Sequence, residues 1–237
     1  MAAAVDTPSR RTAAVPREEV PVLQPGDSLT RDEFERRYHR MPHLKKAELI
    51  EGIVYTPSPV RIHKPARPHF ILSNWLGAYE AATPGVVGAD NATVRLDLEN
   101  EPQPDLLLMV EPGHGGQCRY SADDYLEGPP ELCVEIAAGS AAYDLHQKKR
   151  AYRRNGVREY LLWLTEEHCL IWWELRAGEY QDIAPDDAGV LKSTVFPGLW
   201  LDPAALLSAD RDKVRAVLQQ GLATPEHAAF TAPLTKA

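Results

Sequence analysis

Residues 131–164 read ELCVEIAAGSAAYDLHQKKRAYRRNGVREYLLWL, and their pattern sets the fold class. ELCVEIA is a short apolar run, read as a strand. AAYDLHQKKRAYRRNG follows as a helix that Gly156 ends at C′. REYLLWL and CLIWWEL (169–175) are aromatic and β-branched strands joined by a short polar turn. Working upstream, DLLLMV (105–110) has five apolar members in six, which predicts burial on both faces. ATVRLDL and VVGAD precede it as further strands. HFILSNWLGAYEAA (69–82) places Phe70, Ile71, Asn74, Trp75 and Tyr79 at helical spacings, ended by Pro84-Gly85. AELIEGIVYT (47–56) carries a central glycine between apolar residues, the mark of a strand or hairpin. Thr30 to Glu33 fits a capping box opening a helix over 31–40 that Pro42 limits. The series predicts an α+β fold with a mixed central sheet flanked by helices.

The chain has 237 residues, 44% hydrophobic and 25% charged, a globular composition. Residues 1–28, rich in Ala, Pro and charge, read as a disordered arm. Residues 29–207 form one domain, and 208–237 a short helix stopped by Gly221 with a flexible tail. The net charge of −8 excludes a surface that clamps polyanions throughout, so nucleic-acid contact must be local. No apolar run approaches a membrane span and the N-terminus lacks a secretory apolar core, which reads as cytoplasmic. Cys118, Cys133 and Cys169 show no CxxC spacing, so neither a disulfide framework nor a structural zinc site is supported.

The carboxylates are the informative residues. Asp105 opens DLLLMV, and Glu135 lies inside ELCVEIA, where an unpaired charge is costly to desolvate. On the following helix Asp144, Lys148 and Tyr152 fall at i, i+4 and i+8 on one face, and Lys148 is the candidate partner for Glu135. An Asp, a Glu and a Lys so placed suit a hard-metal site, with Mg²⁺ or Mn²⁺ favoured over zinc. The plainer alternative is a solvated strand face beside an ordinary i,i+4 helix pair.

AELIEG, SPVRIH, QPDLLLMV, PPELCVEIA and then D-x3-K-x3-Y-x3-GVREYLLW occur in that order. The set resembles the Uma-two family of restriction-endonuclease-like proteins, a branch of the PD-(D/E)XK nuclease superfamily, over about residues 30–205. In that family the lysine has moved from the Glu strand to the next helix; here Ala137 stands two after Glu135 and Lys148 on the helix. The resemblance implies a restriction-endonuclease-like core and a Mg-dependent endonuclease acting on DNA. Asp105 and Glu135 would bind the metal, and Lys148 would position the attacking water. It also suggests Glu48 as a further acid, holding a second ion or the water, and His63 as a residue beside the site. The alternatives are a surface carboxylate for Glu48 and a packing residue for His63. Tyr152 reads as core packing, and Asp144 as steering Lys148 or capping its helix. One departure is IAAGSAAYD after Glu135, where family members carry a Ser-Pro turn; it removes one supporting hydrogen bond and leaves the ligands.

Charge is uneven. Residues 97–111 hold five acids and no Lys or Arg, whereas 142–158 hold Lys148, Lys149, Arg150, Arg153, Arg154 and Arg158 against Asp144. That helix reads as a patch facing an anion, with Lys149 and Arg153 as substrate contacts; Arg61, Lys64 and Arg67 with His63 and His69 form a second basic stretch. Solvated faces are the alternative. EPGHGG (111–116) lacks the GK[ST] of a phosphate loop, and His39 and His43 have Pro42 between them and no third ligand. Trp163, Trp172 and Trp173 read as core or dimer-interface residues. A homodimer is expected, because double-strand cleavage needs two sites. The rival to the enzyme is a catalytically idle module binding nucleic acid or protein on the same fold. A third class is a metal-dependent hydrolase of small phosphate esters.

Overall fold

A computed structural model describes residues 20–56, 62, 64–139 and 141–235. Helix α1 (Arg31–Tyr38) buries Phe34 against a hairpin of β1 (Glu48–Ile50) and β2 (Ile53–Tyr55). Its turn is Glu51-Gly52, both at positive φ, the backbone a two-residue hairpin turn requires. Thr30 occupies the N-cap but makes no side-chain cap hydrogen bond. Glu33 instead pairs with Arg36 and Arg37, so the capping-box expectation fails to a stronger local ion pair. Helix α2 (Ala66–Ala81) leads into β3 (Val86–Asp90), β4 (Val94–Arg95) and β5 (Leu106–Val110). Only Val94 and Arg95 of the ATVRLDL stretch are strand.

Two short strands, β6 (Arg119–Tyr120) and β7 (Leu126–Glu127), form a small sheet with β4. Strand β8 (Leu132–Ala137) is followed by a crossover helix made of α3 (Ala141–Tyr143), a π-helical segment (Asp144–Lys148) and α4 (Lys149–Asn155). Gly156, at φ 84°, ends it as the sequence predicts. Strands β9 (Glu159–Leu164), β10 (Cys169–Arg176) and β11 (Glu179–Asp182) complete a six-stranded sheet ordered β11-β10-β9-β8-β5-β3. Among the described residues of this sheet only β8 and β9 pair in parallel, the consequence of the helical crossover between them. This is the α+β fold with a mixed sheet that the sequence predicts.

One face of the sheet packs Leu132, Val134, Ile136 and Leu161 against α2 and the later elements. The other packs Cys133, Ala137, Tyr160 and Leu162 beneath the crossover helix. Trp163, Trp172 and Trp173 are buried in these layers, which makes them core residues. The chain finishes with a ribbon of β12 (Leu191–Lys192) and β13 (Trp200–Leu201), then α5 (Pro203–Leu207), α6 (Arg211–Leu222) and α7 (Pro225–Leu234). Two expectations fail here. Gly221 does not stop α6; it lies inside the helix, where its missing side chain lets the backbone of Gly198 approach. Residues 225–234 are helix where a flexible tail was expected: Thr224 caps it, His227 is buried against Thr83 and Phe230 packs on Phe196. Among the described residues no helix is long and apolar enough to cross a membrane.

Candidate active site

Strand periodicity places Glu135 in the same row as Cys133 and Ala137, facing the crossover helix. There Lys148 Nζ and Tyr152 Oη both donate to Glu135 Oε1, at 2.8 and 2.7 Å. The same ammonium lies 2.9 Å from Glu48 Oε1 and 3.8 Å from Asp144 Oδ1. A π-helical turn carries Asp144 and Lys148, and such segments recur at functional positions because they re-aim side chains within an otherwise regular helix. Glu48 reaches the cluster because β1 is bridged to the segment before β5: Leu49 and Glu101 exchange backbone hydrogen bonds, and Gln103 N donates to Glu48 Oε1 at 2.8 Å. Asp105 enters from the start of β5. Ile136 N fixes its Oδ2 at 2.9 Å, and Lys46 Nζ reaches its Oδ1 at 3.2 Å.

Asp105, Glu135, Lys148 and Glu48, the four residues expected to carry chemistry, therefore converge. Glu48 is buried, not the surface carboxylate of the alternative reading, and the face holding Glu135 is not solvated. Tyr152 does more than pack, since it hydrogen-bonds Glu135 directly. His63 and Arg61 lie outside the described residues. Lys149 and Arg153 are not brought to the cluster: Lys149 Nζ sits 3.7 Å above the Trp173 ring, and Arg153 bonds Gly178 O and Glu179. Their neighbours are also engaged internally, Arg150 and Arg154 with Glu51 and Arg158 with Gln117. The helix thus ties sheet to hairpin through pairs that lie at the surface.

Three residues were not read as neighbours of this cluster, His69 having been placed only in a basic stretch. Lys46 lies two before Glu48, so period two puts both on one face of the strand entry; that signal was available. His69 Nε2 donates to the Asp105 carbonyl at 3.0 Å from the first turn of α2. Tyr143 stacks on Tyr55 with its ring 5.3 Å from Lys148 Nζ, and its buried hydroxyl has no partner among the described residues.

Burial drives the Glu135 carboxyl above the usual range, with Asp105, Asp144 and Glu48 adding to the rise and Lys148 opposing it. Burial opposes charge on Lys148 as well, but Glu135, Glu48 and Asp144 together hold its ammonium well above the ordinary value. Beside burial, the largest cause for Glu135, stands an excess of acidic over basic side chains. Among the described residues the ammonium groups within salt-bridge reach of Glu48, Asp105, Glu135 and Asp144 are those of Lys46 and Lys148, so the cluster is short of positive charge. A divalent cation matches that deficit, and the donors are hard oxygens. Among the described residues no group of three or more His, Cys, Asp and Glu is set to hold a metal. Two carboxylates still suit Mg²⁺, which takes one or two and fills its octahedron with water and substrate oxygens; zinc would want more protein ligands.

Comparison with family models matches residues 31–204 to Uma2, described as "putative restriction endonuclease". The chain belongs to the Uma2 family. The match covers the sheet, the crossover helix and the hairpin, and so every member of the acidic cluster. Among solved structures, this Uma2 chain is similar to one described as "a putative nuclease belonging to DUF820" from Anabaena variabilis. The TM-score is 0.53 at 12% identity, over 73% of this chain and 96% of that one, a likeness of fold. No curated protein matches this Uma2 sequence.

Proposed function

We propose that the protein is a Mg²⁺-dependent endonuclease that hydrolyses phosphodiester bonds in DNA, with Mn²⁺ able to substitute. The observation that supports this most is the convergence of Glu48, Asp105 and Glu135 on Lys46 and Lys148, a cluster short of positive charge that a divalent ion could complete. Asp105 and Glu135 would hold the ion, which when bound polarises the scissile phosphate and lowers the pKa of the attacking water. Ile136 N orients Asp105 for that task, and Tyr152 with Lys148 orients Glu135. Lys148 also keeps Glu48 beside Glu135, where its carboxylate can hold the attacking water and accept its proton. Hydrolysis forms one bond from water oxygen to phosphorus and breaks one to the leaving sugar oxygen. Cleavage of both strands calls for two such centres, and the proposal includes a homodimer formed through an exposed edge of the sheet, β3 or β11, since the Trp-rich strands are buried.

The test is cleavage of mixed DNA and RNA substrates under Mg²⁺ and Mn²⁺ titration, with metal binding followed by calorimetry. Asp105→Ala should lower cleavage at least about a hundredfold, the scale of a lost metal ligand, and weaken metal binding. Lys148→Ala leaves carboxylates uncompensated, at a cost of about 3–5 kcal/mol, so its rate is compared on the folded fraction. Wild-type rates in both variants would overturn the assignment. A wild-type protein that neither cuts nor binds metal would instead be an idle binding module.

A further inference from the structure

We propose that Lys46 is the lysine that meets the substrate phosphate, and that the nucleic-acid strand reaches it across the cleft on the Asn91 side. The inference rests on the nuclease reading and extends it to the substrate path. Two lysines border the acidic cluster, and their settings differ. The Lys148 side chain is 3% exposed, with Glu135, Glu48 and Asp144 around its ammonium. Turning it to a phosphate would strip buried carboxylates of their counter-charge. Lys46 is 19% exposed, beside an Asp105 that is 21% exposed. It bonds one carboxylate oxygen, at 3.2 Å, and one neutral amide oxygen, Asn91 Oδ1, at 3.0 Å. An ammonium has three donors, so among the described residues one is uncommitted. Asp105 keeps its orientation through Ile136 N whether or not Lys46 stays on its other oxygen.

A cleft that adjoins Lys46 through Asn91 carries groups a nucleotide could use. The cleft, of about 360 Å³, is lined by Tyr38, Lys45, Asn91, Thr93, Gln103 and Tyr125 among others, none of them a carboxylate. Asn91 bonds Lys46, and the backbone of Gln103 holds Glu48, so two residues of its wall are joined to the acidic cluster. Amides and hydroxyls read base edges, phenol rings stack on bases, and a lysine takes a phosphate. Lys45 has no ion pair among the described residues. Asn91 is held at φ 51°, a left-handed conformation of the kind that clusters at binding sites. In a chain of net charge −8, two adjacent lysines, Lys45 exposed and Lys46 joined to Asp105, mark a place beside the acidic cluster where a polyanion can be received.

The experiment has two arms. First, fluorescein-labelled mixed-sequence DNA oligonucleotides are bound without metal across a series of KCl concentrations, and cut in Mg²⁺, by wild type, Lys46→Met and Lys45→Met. Lys46→Met should lower kcat/KM by about 100- to 1,000-fold, the range for loss of one donor to a developing charge, and reduce the salt slope of binding by about one. Lys45→Met should reduce the slope and raise KM with kcat kept. Second, acetylation of the wild-type protein is mapped by mass spectrometry with and without the oligonucleotide, which needs no variant to fold. Lys46 should be protected by DNA. A wild type that cuts DNA while Lys46→Met matches it in rate and slope, or while Lys46 is labelled equally with and without DNA, overturns the inference and leaves the nuclease reading standing. A wild type that neither binds nor cuts overturns both.

Discussion

Glu101 is a buried carboxyl outside the acidic cluster with one oxygen unpartnered, and burial together with the adjoining Glu35 carboxylate raises its pKa. The folded protein therefore holds a proton that the unfolded chain releases once pH passes the ordinary Glu value. The penalty is absent in acid, appears as pH rises above about 4.5, and grows until the folded group itself ionises. Glu101→Gln keeps a donor toward Glu35 and removes the charge. Its melting midpoint should match wild type at pH 4 and exceed it by about 3 °C at pH 8, equivalent to about 1 kcal/mol for a domain of this size. An equal or lower midpoint at pH 8 contradicts that account. The same scale shows how far single residues can be read from sequence. Glu135 was legible because a charge amid Val134 and Ile136 demands a partner, and Lys148 was the partner in range. Lys46 was not read, because a Lys-Lys pair before a strand looks like solubilising charge until Asp105 is brought beside it.

Among the elements, the crossover helix does the most to place chemistry. Its π-helical turn spans Asp144–Lys148, and removal of one residue from such a turn restores α-helical register. Deleting the exposed His146 should retain the far-UV spectrum and yet rotate Lys148 by about 100° relative to Asp144. Metal binding and cleavage should then fall together while the melt stays cooperative; retained metal binding would show that the turn is not what aims the lysine. Strands β5 and β8 to β10 were legible from apolar runs, since a buried strand has little besides its hydrophobicity to show. Helix α7 was hidden, as AAFTAPL has weak periodicity and contains Pro233. Its order comes from His227, Phe230 and Leu234 docking on the body, a tertiary gain that no local window reports. The contacts of the basic helix were hidden for the converse reason: Glu51, Glu179 and the Trp173 ring, which its cations meet, lie far away in sequence.

For the whole molecule, α6 and the β12–β13 ribbon meet backbone to backbone. A side chain at Gly221 would come within 2.2 Å of Gly198 O, too close for any rotamer to relieve. Gly221→Ala is therefore expected to destabilise by about 2 kcal/mol or more in urea unfolding, an overpacking cost. The opposite sign, a gain of up to about 1 kcal/mol, is what helix propensity alone would give. A neutral or positive change would mean that the contact is looser than described. The residues of the acidic cluster lie far from this seam, so the folded fraction of the variant should keep its metal affinity.

The hairpin bearing Lys46 and Glu48 is joined to the start of β5 by backbone bonds, and to the crossover helix through Glu51 and Lys148. A ribosome releases that hairpin first and the helix much later. A half-made chain thus carries acids without the lysine that gathers them, and the pocket comes into being only when the last central strands are in place. A nascent chain that ends before Lys148 therefore lacks one member of the proposed site.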